Sequence, residues 1–221
     1  EGNDSENVLL YSFINSTFDT GLKSPLDEAI LNFRHLDIDR FHKIDEIPFD
    51  FLRKRISVVV SDGDKRLIVS KGAPEEIFRV CSQVDRNGVV GPLTDAVRAQ
   101  VDGIYQAQSA GGFRTLAVCY RAVPGDVTQF SVADETEMTL AGFVTFIDPP
   151  KETARESIRQ LEQSGIELKI LTGDNELVTK KICEEIGLEI KGVLSGEEVE
   201  HMDVQTLSRV VENVTVFSRM T

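Results

Sequence analysis

The sequence predicts two domains, a mixed α+β domain built on an antiparallel sheet followed by an α/β domain built on a parallel one. Three observations carry this. Over the first ~140 residues, segments of helical period lie beside strands joined by hairpin signals, which favours antiparallel pairing. After Phe143-Val144-Thr145-Phe146-Ile147-Asp148-Pro149-Pro150, strand and helix alternate strictly, which implies parallel strands with right-handed crossovers. The two prolines stiffen the junction and stop either neighbour from running through. The domains are therefore placed at 1–147 and 148–221, the second incomplete.

The elements follow in order. Ser24-Pro25 before Leu26, Ala29, Ile30 and Phe33 predicts a capped helix with proline at its first position. Ile56 to Val60, Asp62-Gly63 and Leu67 to Val69 predict a hairpin with a tight turn. In Lys71-Gly72-Ala73-Pro74-Glu75, glycine permits close backbone approach, while Pro and Glu open a helix through Ile77 and Phe78. Val97, Val101, Ile104 and Ala107 keep helical spacing up to Gly111-Gly112, and Phe113 to Tyr120 reads as a strand. Beyond the prolines, a helix on Ala154, Ile158 and Leu161 precedes Gly165 and a strand over 166–171. Asp174 or Asn175 then caps a helix at 176–186, where Val178, Ile182 and Ile186 share a face. After Gly187 come a strand at Val193-Leu194, a helix carrying Leu207, Val210 and Val211, and a strand over Val214 to Phe217.

Composition bounds the function. Hydrophobic content of 41% without Trp fits a soluble globular protein with a real core, and no apolar run approaches the ~18 residues of a membrane span. The opening Glu1-Gly2-Asn3-Asp4-Ser5-Glu6 is polar and unlike a signal peptide. Three scattered cysteines (Cys81, Cys119, Cys183) read as free thiols in a reducing compartment. The N-x-[ST] matches at Asn3, Asn15 and Asn213 are then accidental. His35, His42 and His201 have no metal-ligand spacing, so no metal site is expected. A net charge of −13 argues against nucleic acid and anionic membranes. Residues 41–80 are the exception, with eight Lys/Arg against seven Asp/Glu, a net of +1 that leaves −14 elsewhere. This locally basic stretch suits either a small anionic ligand or an ordinary solvated strand edge.

Two motifs carry chemistry. Lys169-Ile170-Leu171-Thr172-Gly173-Asp174-Asn175 reads as a buried strand ending in a phosphate-sized turn at a helix amino terminus. Lys71-Gly72-Ala73-Pro74-Glu75 lies upstream of it, and Asp148-Pro149-Pro150-Lys151 lies between the two. In this order and spacing the three resemble the cytoplasmic part of P-type ATPases, cation pumps that phosphorylate themselves. Glu46-Ile47-Pro48-Phe49-Asp50-Phe51 with Arg53-Lys54-Arg55 is similar to the bacterial magnesium-transporting branch.

The resemblance implies ATP and Mg²⁺ as cofactors, and an α+β nucleotide-binding domain followed by a partial haloacid-dehalogenase-like, Rossmann-type phosphorylation domain. It implies that Phe49 stacks on adenine, that Lys71 lines the base pocket, that Gly72 admits the base, and that Lys54 contacts the nucleotide. Arg114 would reach the phosphates. Asp27 has two readings: a hydrogen bond near the adenine amino group, or a capping box with Ser24. Phe51 is read as a core residue flanking a strand. In the second domain, Thr172 and Gly173 would bind the transferred phosphate, Asp174 would lie near Mg²⁺ or ribose, and Asp148 marks the hinge. Arg219 is either a ligand at the phosphate end of ATP or a solvated residue near a terminus.

The Asp-Lys-Thr-Gly-Thr motif that carries the family's phosphorylated aspartate is absent. Asp37-Ile38-Asp39 lacks a preceding strand, and Asp62-Gly63-Asp64 is a hairpin turn, so neither replaces it. The later Gly-Asp-Gly-x-Asn-Asp motif, which holds Mg²⁺, is missing too. The expectation is a monomeric piece of a pump that binds ATP without hydrolysing it. Its partners would be the pump's remaining cytoplasmic and transmembrane domains, at the cytoplasmic face of the bacterial inner membrane, with no nucleic acid. Two rivals are a haloacid-dehalogenase-type phosphatase with a large cap and a non-enzymatic nucleotide-sensing module. Lys71→Ala and Phe49→Ala are each expected to weaken nucleotide binding without unfolding the chain. Because the parallel sheet lacks its first strand, residues beyond about 150 are expected to exchange amide hydrogens faster than the first domain. Equal protection in both halves would overturn that.

Overall fold

The computed structural model describes residues 4–220. They divide into two compact units, Glu1–Tyr105 with Thr115–Thr145, and Gln106–Arg114 with Phe146–Thr221.

The first unit begins with two helices, α1 (Glu6–Phe18) and α2 (Pro25–Phe33). Ser24 and Asp27 form the predicted capping box at the start of α2. Then follow β1 (Phe41–Asp50), β2 (Arg55–Asp62), β3 (Lys65–Gly72), α3 (Pro74–Val80), β4 (Cys81–Arg86) and β5 (Val89–Pro92). Next come α4 (Asp95–Ala110), whose last residues belong to the second unit, β6 (Arg114–Val123) and β7 (Met138–Phe146). The strands form one seven-stranded sheet in the order β1-β2-β3-β6-β7-β4-β5. The β1-β2, β2-β3, β3-β6 and β4-β5 pairs are antiparallel, as expected, but β4 pairs with β7 in parallel.

Side-chain alternation explains how this sheet is covered on both faces. Val58, Val60 and Val69 pack with Ile14 of α1, whereas Val59 and Ile68 pack with Ile77 and Phe78 of α3 and with Leu140. A strand buried on both faces reads as a continuous apolar run, as Ile56 to Val60 does. The predicted hairpin turns at Gly63, whose φ of 59° suits glycine.

Helix α1 has no counterpart among the predicted elements. Its buried face carries Ser12, Asn15 and Ser16 beside Ile14, which blurs the apolar period. Asn15 stands in for a hydrophobe because its amide donates to the Ile56 and Val69 carbonyls at 3.2 and 2.8 Å. It is fully buried and no glycosylation acceptor; Asn3 lies outside the described residues. All three cysteines are free and buried.

The second unit contains α5 (Ala154–Gln163), β8 (Ile170–Leu171), α6 (Glu176–Ile186), β9 (Val193–Ser195), α7 (Gly196–Glu200), α8 (Val204–Val210) and β10 (Val216–Ser218). Its sheet has the order β8-β10-β9 with both pairs parallel. The last strand in sequence is thus the central one, and Val216 packs with Cys183 and Leu188. The strand predicted over 166–171 pairs only at Ile170 and Leu171, opposite Val216 and Phe217. As an edge position, Leu171 stays exposed. Gly187 closes α6 in the left-handed conformation, with φ 77°.

Gly72 is the tightest approach in the first sheet. It pairs with Arg55, and a Cβ there would press on the Lys54 carbonyl and lie 2.7 Å from the Arg55 Cα. Gly72→Ala is therefore expected to destabilise the chain by about 1–3 kcal/mol, because backbone must shift. A lowered urea midpoint at an unchanged slope would show it.

Candidate functional site

Residue 71 falls two positions after Val69 on β3, so its side chain points to the α1 face. There the chain places a lysine, only 5% exposed, where an apolar residue would otherwise sit. Its ammonium pairs with the Asp27 carboxylate and donates to the Ser16 hydroxyl at 2.6 Å. Ser16 in turn donates to Asp27 at 2.8 Å, and Ser24 donates its hydroxyl to Asp27 at 2.6 Å and its N–H at 3.0 Å. The capping role of Asp27 and its pairing with Lys71 therefore coexist in one carboxylate.

Burial raises the pKa of Asp27, but the Lys71 charge and the hydrogen bonds from Lys71, Ser24 and Ser16 outweigh it and hold it at about 2. Burial lowers the pKa of Lys71, and Asp27 opposes that shift.

The rest of the first group gathers at the same end of the sheet. Lys71 lies opposite Ile56 and Gly72 opposite Arg55, while Asp50 of β1 also pairs with Arg55. Phe49 thus lies in the irregular stretch just before the end of the β1 ladder, with β2 between it and the β3 positions that carry Lys71 and Gly72. Lys54, with φ 47°, accepts the Ala73 N–H on its carbonyl at 2.9 Å, which ties the β1–β2 turn to the Lys71-Gly72-Ala73 segment. The Phe49 ring is 51% exposed.

Phe51 is not a core residue. It is 80% exposed and meets Phe49 edge to face, with centroids 5.3 Å apart. The reason is local: the chain leaves the ladder after Asp50, and residues 51–54 form a turn beyond the sheet.

The second group surrounds the β8–α6 loop. The Thr172 hydroxyl accepts the Asp174 N–H at 3.1 Å, and Asn175 caps α6 by accepting the Val178 N–H at 2.9 Å. Arg219, with φ 56°, donates its N–H to the Asp174 carbonyl, and Met220 donates to the Thr172 carbonyl, both at 2.9 Å. At Gly173 an added Cβ would make only an ordinary contact, 3.6 Å from the Met220 carbonyl. The Arg114 guanidinium sits with this group, 3.0 Å from Asp174 and 3.7 Å from Asp148. Thr172, Gly173, Asp174, Asp148, Arg114 and the Arg219 backbone are thus brought together.

Sequence reasoning missed Ser16 and Glu135. Ser16 has no local signal, since only the fold of α1 onto β3 makes it a partner of Lys71. Glu135 binds both Arg53 and Arg55 of the basic triplet, and the triplet was the only hint that a buried anion was needed.

A family model described as "P-type ATPase, cytoplasmic domain N" matches residues 2–153. The chain belongs to the P-type ATPases. Over its whole length it is 40% identical to "Magnesium-transporting ATPase, P-type 1" of Escherichia coli K12 and to a protein of that name from Salmonella typhimurium LT2. It is 30% identical, over 81% of its length, to the "Calcium-transporting ATPase" of Bacillus subtilis. It spans about a quarter of the length of these magnesium-transporting relatives and 21% of the Bacillus protein. Among the described residues of this P-type ATPase chain, no helix is long and apolar enough to cross a membrane.

The Lys71–Asp27 geometry changes one expectation. Lys71→Ala leaves Asp27 buried without its cation, so loss of stability, and not only of binding, is now expected. The acid limit of stability follows from the same pair. The folded pKa of Asp27 lies below its ordinary 3.8, so the unfolded state binds the proton first as pH falls. The stabilisation, about 2 kcal/mol, is complete above pH ~4 and is lost as pH drops toward ~2. Urea unfolding between pH 5 and 2 should show this loss, and Asp27→Asn should flatten the slope in that window.

Proposed function

We propose that residues 1–147 form the nucleotide-binding domain, and residues 148–221 the hinge and part of the haloacid-dehalogenase-like phosphorylation domain, of a magnesium-type P-type ATPase. The observation that carries the reading is Phe49. A half-exposed aromatic residue near the end of β1, one strand (β2) away from the β3 end that carries Lys71 and Gly72, offers a face to a base, in a chain whose family is established. The 40% identity to magnesium-transporting relatives supports the choice of branch.

Each unit carries groups that suit one part of a nucleoside triphosphate. Phe49 supplies a stacking surface, Lys54 a cation on the neighbouring turn, and Lys71 with Asp27 a polar floor. Arg114 carries a five-donor fork suited to phosphate, and the Thr172 hydroxyl and uncrowded Gly173 suit a phosphoryl group at the start of α6. Mg²⁺ would accompany the nucleotide and neutralise phosphate charge. Among the described residues no three His, Cys, Asp or Glu side chains gather to hold it. In the whole pump, the bound triphosphate would donate its γ-phosphoryl group to an aspartate outside this sequence, and that covalent step would drive ion movement across the inner membrane. The chain alone binds ATP without turning it over, acts as a monomer, and has the pump's other cytoplasmic and transmembrane domains as its partners.

An amide-resolved NMR titration with ATP tests this. Shifts are expected at Phe49, Lys54, Lys71, Gly72 and Arg114. Phe49→Ala should raise the Kd by about 5- to 150-fold, the loss of one base–aromatic stack, with unfolding unchanged because the ring is half exposed. No shifts at millimolar ATP would overturn the site and leave the family membership standing.

A further inference from the structure

The turn after Phe49 poses a physical problem. Phe49, Phe51 and Leu52 are exposed, so no apolar layer holds them. Local bonds shape the turn: the Asp50 carboxylate accepts the Leu52 and Arg53 N–H groups at 2.8 Å, and its carbonyl accepts the Lys54 N–H at 2.7 Å. These bonds are internal to the turn, and the Ala73 N–H on the Lys54 carbonyl ties only its last residue to the end of β3. A buried carboxylate anchors the turn at Arg53 as well. Glu135 is 3% exposed, and both its oxygens lie 2.7 Å from Arg53 Nη1. It also accepts from Arg55 Nε at 2.8 Å and from the Ser57 hydroxyl at 2.6 Å. Arg53 uses its other terminal nitrogen to reach the Pro48 carbonyl at 2.6 Å, so one guanidinium joins the residue before Phe49 to the buried anion.

Glu135 is itself anchored. It follows a short 3₁₀ turn, Val132–Asp134, capped by Ser131 and Asp134. The Phe130 N–H donates to Asp45 of β1 at 2.9 Å, and Arg121 of β6 donates to the Asp134 carbonyl at 2.7 Å. A buried ion cluster of this kind is poor evidence for stability, since apolar residues of the same volume often serve as well. What it supplies is a fixed geometry with satisfied hydrogen bonds, and here the thing fixed is the segment that displays Phe49.

We propose that Glu135 is a positioning residue for base binding: acting through Arg53 and Arg55, it holds the 48–55 turn so that the Phe49 ring stands ready to stack. This rests on the nucleotide-binding reading above. The test uses the whole 221-residue chain and titrates ATP and uncharged adenosine into the wild type, Glu135→Gln and Arg53→Lys. Both variants should weaken ATP and adenosine by a similar factor, about tenfold, within the range of a lost base stack. Before any ligand is added, the Phe49 ring signals should move and amide exchange at Phe51 to Lys54 should accelerate, while Arg53→Lys still unfolds cooperatively. If Glu135→Gln does not fold, Arg53→Lys decides alone, since it keeps the charge and removes the fork.

Unchanged affinity and exchange in a folded variant would overturn the proposal. So would weakening confined to ATP, which would make Arg53 a direct phosphate contact. Failure of the wild type to bind either ligand would instead overturn the nucleotide-binding reading, and this proposal with it.

Discussion

The buried Lys71 ammonium is the constraint around which the first unit is arranged. Strand alternation sends it to the α1 face, into a layer otherwise made of Ile14, Val58, Val60 and Val69. An unpaired ammonium there would be far more costly than any single apolar contact could offset. Ser16 of α1 and Asp27 of α2 must both meet it, so the two helices are placed on the sheet by a charge as well as by packing. The pair's net contribution to stability is modest, but losing one partner costs about 3–5 kcal/mol. Such a cluster tolerates little repacking.

The opposite face of the same strand ends repeats the arrangement. Arg55 and Ser57 alternate with Ile56 and Val58, so they lie on the Val59 face, as Ser70 does beside Ile68. Ser57 and Ser70 approach to 2.6 Å, and Glu135 closes the cluster with Arg55 and Arg53. The middle of β2 and β3 is held by valine and isoleucine, and its end by two buried ion clusters, one on each face. Apolar contacts are non-directional, whereas hydrogen-bonded charges fix orientation. The change from one to the other along the strands marks where fixed orientation, beyond mere compactness, is set.

This division explains what could be read from the sequence. The α2 capping box, the Gly63 turn, the Lys71-Gly72 strand end and the Asn175-capped helix α6 all announce themselves within a few residues, because caps, turns and periods are local. The seven-stranded sheet emerged only in part. Strand β4, Cys-Ser-Gln-Val-Asp-Arg, is too polar to show a period, and its parallel partner β7 lies more than fifty residues away. Helix α1 hid because its buried face carries polar residues, and the partners of the Asn15 amide and of Ser16 lie in distant elements. Phe51 was misread for a similar reason: an aromatic residue near a strand end favours the core unless the chain is known to turn outward there. The family motifs named Lys71 and Asp27 as a set, but they gave no sign that the two neutralise each other, since a motif records residue type and spacing, not pairing.

The charges of the second unit are used differently. Arg114 is 39% exposed on its side chain, and its partners Asp174 and Asp148 are also open to solvent. Ion pairs of that kind contribute at most about 1 kcal/mol, so exchanging one partner for another costs little. The backbone around them is held more firmly, by the Thr172–Asp174 and Asn175–Val178 bonds and by the Arg219 and Met220 amides on the loop carbonyls. A fixed loop with an exchangeable guanidinium contrasts with a fixed sheet end whose charges are locked. The first can release and regain an anionic partner at each encounter, while the second can only hold its shape.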